Sequence, residues 1–347
     1  MHRRSAPAIE TEAPHALAAW VLLCAAMVFA MAVIGAITRL TESGLSIMEW
    51  APVTGALPPL SQGEWERLFA LYRQIPEYRL ENAGMTLTEF KTIFWWEWIH
   101  RFWGRLIGVV FLLPFLWFLW RRQVPQDLKL HLAAVFLLGA LQGALGWFMV
   151  ASGFSERSDV SQYRLAAHLA LALIIYGYLF WLWLRLTVMP EPSEHAGRLR
   201  GPLWGLLALL AVTLLSGALV AGTNAGLTYN SFPLMDGRLI PKGYAQLEPF
   251  LMNWFENIAA VQFNHRLLAT LTVTAALAVS VIGLNRDPPA APRLGLILLA
   301  AAALAQWLLG ISALLLAVPV WLGAAHQAGA ILLLTATLNC LYRLRAA

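Results

Sequence analysis

The chain has 347 residues, 59% of them hydrophobic and 12% charged, with a formal net charge of +5. Soluble domains carry about 25% charged residues, and a mean hydropathy of +0.64 would leave far too much apolar surface facing water on a single globule. The composition excludes a cytosolic globule, a disordered chain and a disulfide-rich secreted module, and it points to a polytopic membrane protein.

A helix needs roughly 20 apolar residues to cross the ~30 Å hydrocarbon layer. After a polar tail (1–15), eight runs of that size follow, near 16–38, 99–120, 130–150, 165–186, 202–221, 259–283, 294–316 and 322–342. Barrel-type alternation is absent, so the expected fold is an all-α membrane protein. The first run is too long for a signal peptide and is not followed by a small-residue cleavage site. Between the first two spans lies a long loop, 39–98. Within it Ser61 and Glu64 predict a short helix over 64–75, with Trp65, Leu68, Phe69 and Tyr72 on one face, suited to lie at the interface or cover a site. Thr86 and Glu89 form a possible capping box for a helix running on into the second span. Trp95, Trp96, Trp98 and Trp103 crowd the same entry, mostly as belt residues. Cys24 and Cys340 both sit in apolar runs, so neither a loop disulfide nor a thiolate zinc site is expected.

Orientation follows from the basic residues of the short connections. Arg3, Arg4, Arg121, Arg122, Lys129, Arg185, Arg198, Arg200, Arg286, Arg293, Arg343 and Arg345 share one side with only Glu10, Glu12, Asp127, Glu191, Glu194 and Asp287. That side is expected to be cytoplasmic and to hold both termini. Loops 39–98, 151–164, 222–258 and 317–321 then face outward.

The two halves resemble each other. GAITRLTESGL (35–45) aligns with GALVAGTNAGL (217–227), and FKTIFWWEWIHR (90–101) with FENIAAVQFNHR (255–266). The third helix of each half carries Gln-x-x-x-Gly, at Gln142 and Gly146 and at Gln306 and Gly310. The fourth opens with Ala-His, at His168 and His326. Two tandem, pseudo-symmetric four-helix bundles are expected, 16–186 and 202–342, joined by a linker at 187–201 and followed by a tail at 343–347. An even number of spans separates equivalent helices, so the axis relating them runs along the membrane normal.

Of the eight His, His2, His15 and His195 lie in polar cytoplasmic stretches and His131 at a cytoplasmic helix start, where snorkelling suffices. His100, His168, His265 and His326 share the outer side, two per half, at equivalent repeat positions. Capping or backbone bonding explains a lone membrane His, but not four in a duplicated pattern. Zinc or copper calls for further Cys, His or carboxylate ligands, and a proton relay for mid-membrane carboxylates. Facing imidazoles in a four-helix bundle suit a planar macrocycle, and imidazole is a usual haem ligand. Two haem sites are expected. Arg101 and Arg266, with Arg39, Arg105 and Arg164, are candidates for haem carboxylates or for simple interfacial anchoring. Gly104, Gly108, Gly139, Gly143 and Gly146 read mostly as helix packing.

The halves differ at one telling position. Glu97 stands three residues before His100, and Gln262 three before His265. A carboxylate beside a haem edge can move protons or stabilise developing positive charge, whereas an amide only hydrogen-bonds. The first half is therefore expected to react and the second to hold a structural or electron-transfer haem. The plainer reading is an i,i+4 pair of Glu97 with Arg101.

The stretches LTESGLSIMEW (40–50), EFKTIFWWEWIHR (89–101), AGTNAGLTYNSFPLMDG (221–237) and NHRLLA (264–269) resemble the heme A synthase family across essentially the whole chain. The resemblance implies a bacterial inner-membrane oxidoreductase that oxidises a ring methyl group of heme O to a formyl group, through hydroxylated intermediates, giving heme A for terminal oxidases. It implies a resident heme b on His265 and His326, a substrate site at His100 and His168 near the periplasmic side, and Glu97 as the carboxylate beside it. Expected partners are heme O, an electron donor, the lipid bilayer and, for handover, the heme O-producing farnesyltransferase; nucleic acid is not among them. Some members carry a cysteine pair in the first outer loop; this chain has none between 39 and 98. Two alternatives remain: a diheme b-type electron carrier, and a haem transporter or chaperone.

Overall fold

Apolar stretches of this length satisfy their backbone groups in hydrocarbon only by forming helices. The computed structural model describes residues 15–51, 54–154, 159–189 and 196–344, and no strand occurs among them. The tail to residue 14, linker positions 190–195 and residues 345–347 lie outside the described residues. Among the described residues, eight helices are long and apolar enough to span a membrane.

The first span is α1 (His15–Leu40). In the outer loop, Ser61 caps α2 (Gln62–Tyr72) by accepting from Glu64 N. The helix predicted over 64–75 ends at Tyr72, and α3 (Pro76–Leu80) follows with Pro at its first position. Thr86 and Glu89 make both arms of a capping box, so α4 runs unbroken from Leu87 to Trp120. The second span thus begins a dozen residues before the apolar run at 99, its added turns carrying Phe90, Phe94 and Glu97 inward. The bundle continues with α5 (Lys129–Val150), α6 (Gln162–Thr187) and α7 (Ala196–Gly222). A single-turn α8 (Asn253–Glu256) leads into α9 (Ile258–Leu284), which Asn257 caps through Ala259 N and Ala260 N. The last spans are α10 (Ala290–Leu315) and α11 (Val320–Arg343).

Contacts close two rings. In the first half α1 touches α4 and α6, and α5 bridges α4 and α6; in the second α7 touches α9 and α11, and α10 bridges those two. The halves meet through α1 on α11, α6 on α7 and α6 on α11, the pattern a twofold axis between them demands. The Tyr176 and Thr335 hydroxyls meet at 2.6 Å across α6 and α11. At the outer end Arg39 of α1 donates to Asp159 (2.6 Å), Asn224 (2.9 Å) and the Ala221 carbonyl (3.0 Å).

Packing is uneven along the spans. One apolar core fills the half of the bundle nearest the termini, with Leu17, Trp20, Phe111, Phe115, Phe118, Leu179, Leu203 and Tyr342. Toward the other end close packing stops: every residue from Phe29 to Ile37 of α1, and from Ala325 to Gly329 of α11, is half-buried. A second cluster, with Leu45, Trp65, Leu68, Tyr72, Phe90, Phe94 and Val160, sits on the outer end of the first half and holds α2 and α3 down on α4.

Candidate functional site

The four histidines lie where the core loosens. His168, His265 and His326 are the seventh, eighth and seventh residues of α6, α9 and α11. At 1.5 Å per residue this puts them about 10 Å below the outer helix ends. His100 aligns with His265 once the outward extension of α4 is discounted. His100 and His168 stand on α4 and α6 of the first ring of helices, and His265 and His326 on α9 and α11 of the second.

Each imidazole is seated against a glycine of the neighbouring helix. A methyl group at Gly35 would lie 3.2 Å from His100 Nε2, and at Gly217 3.1 Å from His265 Cε1. At Gly146 it would lie 2.9 Å from His168 Cε1, and at Gly310 2.8 Å from His326 Cε1. These four glycines are two repeat-related pairs, and of the packing glycines singled out above only Gly146 is one of them. Gly108, Gly139 and Gly143 face open space and Gly104 meets only Met31 Cε.

One turn before Gly146 and Gly310 stand Gln142 and Gln306, on the same helix face. Gln142 Nε2 donates to the His168 carbonyl (3.0 Å) and lies 3.3 Å from His168 Nε2. Gln306 Nε2 donates to the His326 carbonyl (3.0 Å) and lies 3.1 Å from His326 Nδ1. Their duplicated Gln-x-x-x-Gly marked the repeat but did not announce this role. Ser216, likewise missed, donates to the Thr213 carbonyl at 2.7 Å and meets His265 Nδ1 at 2.8 Å.

Above the pairs, Glu97 and Gln262 occupy equivalent places with opposite hydrogen-bonding sense. Glu97 is 2% exposed. Its Oε2 accepts from Ser46 Oγ and Ile47 N, both at 2.7 Å, and its Oε1 from Arg101 Nε (3.0 Å) and NH2 (2.6 Å). Gln262 Nε2 instead donates to the Ala225 and Thr228 carbonyls (2.7 and 2.5 Å), and its Oε1 accepts from Arg266 (2.9 Å). One loop presents donors and the other acceptors, and the carboxylate and the amide match them. Arg101 donates to the Ile47 and Glu49 carbonyls, and Arg266 to the equivalent Tyr229 and Ser231 carbonyls. Both arginines thus pin the first outer segment of their half onto the span carrying the first His. Arg101 has a carboxylate partner; among the described residues Arg266 has none within hydrogen-bonding distance, Asp236 being its nearby acidic neighbour, and its buried Nε is unpartnered.

The other arginines also have partners. Arg105 donates to the Ala51 carbonyl at 2.8 Å, and Arg164 to the Phe148 carbonyl at 2.7 Å while lying over the Phe148 ring. His131, expected to snorkel, meets the Tyr178 hydroxyl through Nδ1 at 2.6 Å. Cys24 and Cys340 are buried free thiols. Over the first half, an open cleft of about 540 Å³ lies between α2, residues 47–51 and 54–61, and α4, with Arg101 and Trp98 on its wall. Beneath the same cover Glu77 of α3 is 4% exposed, and its Oε2 has no partner. Burial, then the charges of Glu97, Asp159 and Glu42, push its carboxyl up to about 8.

This arrangement fits haem rather than a bare ion. No group of three or more His, Cys, Asp or Glu able to hold a metal occurs among the described residues. Instead there are two imidazole pairs, each in a loosened bundle, each ring against a glycine where a methyl group would intrude. His168 Nδ1 is buried with no partner.

Comparisons with known proteins agree. The family described as cytochrome oxidase assembly protein matches residues 18–338. A Rhodospirillum centenum protein named heme A synthase is 55% identical over 328 residues, 94% of this chain and 88% of its own length. Proteins of the same name from Nitrosospira multiformis (50% identity; 95% and 93% coverage) and Maricaulis maris (48%; 96% and 97%) match equally fully. The chain belongs to the cytochrome oxidase assembly protein family.

Proposed function

We propose that this chain is a heme A synthase, an oxidoreductase that oxidises a ring methyl group of heme O to the formyl group of heme A. The observation that carries this reading is the half-identity to proteins of that name along nearly the whole chain. The N-terminal bundle takes heme O as substrate between His100 and His168. The C-terminal bundle holds heme b between His265 and His326, and this haem, when bound, supplies electron transfer to and from the substrate site. Arg266, lacking a carboxylate partner, is the cation available to the carboxylates of the resident haem; Arg101 offers the same charge on the substrate side while holding Glu97. Glu97 sets a carboxyl group, held by Arg101, Ser46 and Ile47, beside the substrate, at the place where the other half has an amide. The basic connections put both termini in the cytoplasm and both sites near the periplasmic face of a bacterial inner membrane. An electron donor and a heme O-producing farnesyltransferase are the partners this reaction calls for. Placement of all four His at one depth speaks against a carrier relaying electrons between the two membrane faces.

The test is pigment extraction from protein purified out of cells that also make heme O. Heme B together with heme O, its hydroxylated forms and heme A is the expected result. Heme B alone would favour the electron carrier, and no haem at all would overturn the four-ligand reading. Glu97→Gln is expected to stall oxidation at least tenfold with haem content near normal. Since Gln also sets an amide against the donors of Ser46 and Ile47, Ser46→Ala is the companion variant: it disturbs the loop but keeps the carboxylate, and should retain most activity. Equal losses in both would reduce Glu97 to a loop anchor.

A further inference from the structure

The two halves do not hold their histidines alike. His265 Nδ1 meets Ser216 Oγ at 2.8 Å, and the serine hydrogen is already given to the Thr213 carbonyl. The serine oxygen must therefore accept from Nδ1–H, which fixes the tautomer and leaves Nε2 as a lone-pair donor. The repeat aligns Gly217 with Gly35, so Ser216 and Thr213 correspond to Ile34 and Met31. No hydroxyl stands there. His168 and His326 are each held from the neighbouring helix by a glutamine amide that bonds the histidine carbonyl and touches the ring, at Nε2 of His168 (whose Nδ1 has no partner) and at Nδ1 of His326. His100 alone of the four has no hydrogen bond to its ring among the described residues, although Gly35 seats it as Gly217 seats His265.

We infer that Ile34 makes His100 the exchangeable member of the four histidines, and that the residue at this position decides which half is open to reaction and which holds its haem fixed. The inference rests on the reading that the four imidazoles hold haem. A ligating histidine whose second nitrogen is bonded is oriented and made more basic, and loss of such a partner costs about 10–100-fold in metal affinity. The same α1 and α7 positions, one residue before the cradle glycine, thus carry the switch in opposite senses. With haem bound, an imidazole with no hydrogen bond to its ring would leave the iron more readily than one held by such a bond, and so would open a place for a further ligand. This assigns Ile34 a positioning role, exerted through His100.

Carbon monoxide binding to the reduced, haem-loaded full-length protein tests it without reference to turnover. The wild type should bind carbon monoxide in the N-terminal half only, a signal that His265→Ala leaves in place. Ile34→Ser should slow that binding at least tenfold at unchanged haem content, with Ile34→Thr as the second variant should serine disturb the helix. Ser216→Ala should open the C-terminal haem to carbon monoxide. Carbon monoxide binding confined to the C-terminal haem of the wild type, or unaffected by both residue-34 variants, overturns the inference. Failure of the haem reading itself looks different: His100→Ala and His265→Ala would then both leave the pigment content unchanged.

Discussion

Gly310→Ala should empty the C-terminal haem site, whereas Gly143→Ala should leave the haem content as it was. The added methyl group at 310 would lie 2.8 Å from His326 Cε1, well inside contact distance, so the imidazole must retreat by several tenths of an ångström. Metal–ligand distances tolerate about ±0.2 Å, so retreat on that scale breaks the bond or tilts the ring off it. Gly146→Ala should act in the same way on His168 and the N-terminal site, its methyl group 2.9 Å from Cε1. Gly35 and Gly217, at 3.2 and 3.1 Å, should show weaker versions. Helix propensity pulls the other way, since Gly→Ala in a helix interior stabilises by about 0.5–1 kcal/mol. A variant with a sounder helix and half the haem cannot be explained by misfolding. The measurement is the haem-to-protein ratio of purified variants, expected near one half of wild type for Gly310→Ala and Gly146→Ala, and unchanged for Gly108→Ala, Gly139→Ala and Gly143→Ala. Wild-type haem content in Gly310→Ala would mean that the imidazole is not the ligand.

The eight spans and the four histidines were legible because each rests on local quantities, an unbroken apolar run or a residue type at a repeated position. The capping box at Thr86 even foretold that α4 starts well before the apolar run of the second span. What the sequence did not disclose depends on register between helices. Gln142, Gln306 and the cradle glycines were visible as a repeated spacing, but their meeting with His168 and His326 depends on how α5 lies on α6 and α10 on α11. The Glu97/Gln262 difference was visible too. That it matches donors in one outer loop and acceptors in the other depends on peptide orientation, which side-chain identities do not encode. Ser216 opposite Ile34 went unremarked for a related reason: a serine inside an apolar span usually bonds its own preceding turn, and only the fold brings His265 within reach.

Glu77→Gln should stabilise the outer-loop cover, with a gain that grows with pH. Glu77 is buried in α3, within the loop segment that carries Tyr72 and Ile75 of the second apolar cluster. It faces Glu97 on α4, Asp159 before α6 and Glu42 after α1, with the Tyr72 hydroxyl beside it. Asp159 and Glu97 have arginine partners, Arg39 and Arg101; Glu77 has none among the described residues. Its carboxyl is raised from 4.5 to about 8 in the folded chain, first by burial and then by those like charges. Below pH 4.5 both folded and unfolded chains hold the proton and nothing is lost. As pH rises from 4.5 toward 8, the unfolded chain releases it while the folded chain retains it. Folding therefore weakens by about 1.4 kcal/mol per pH unit, to a total on the order of 4 kcal/mol by pH 8, after which the loss is constant. Glutamine keeps the shape and has no proton to release. Its buried amide costs something, but Oε2 of Glu77 is already unpartnered, so that cost is shared by both proteins. Hydrogen exchange of the 62–80 amides, followed at pH 5 and pH 8, reads the difference directly. Wild type and variant should differ by only about fourfold at pH 5, and at pH 8 the variant should be protected by at least a hundredfold more. Equal dependence on pH in the two proteins would show that Glu77 ionises freely where it sits, and that the outer loop opens to water at this point.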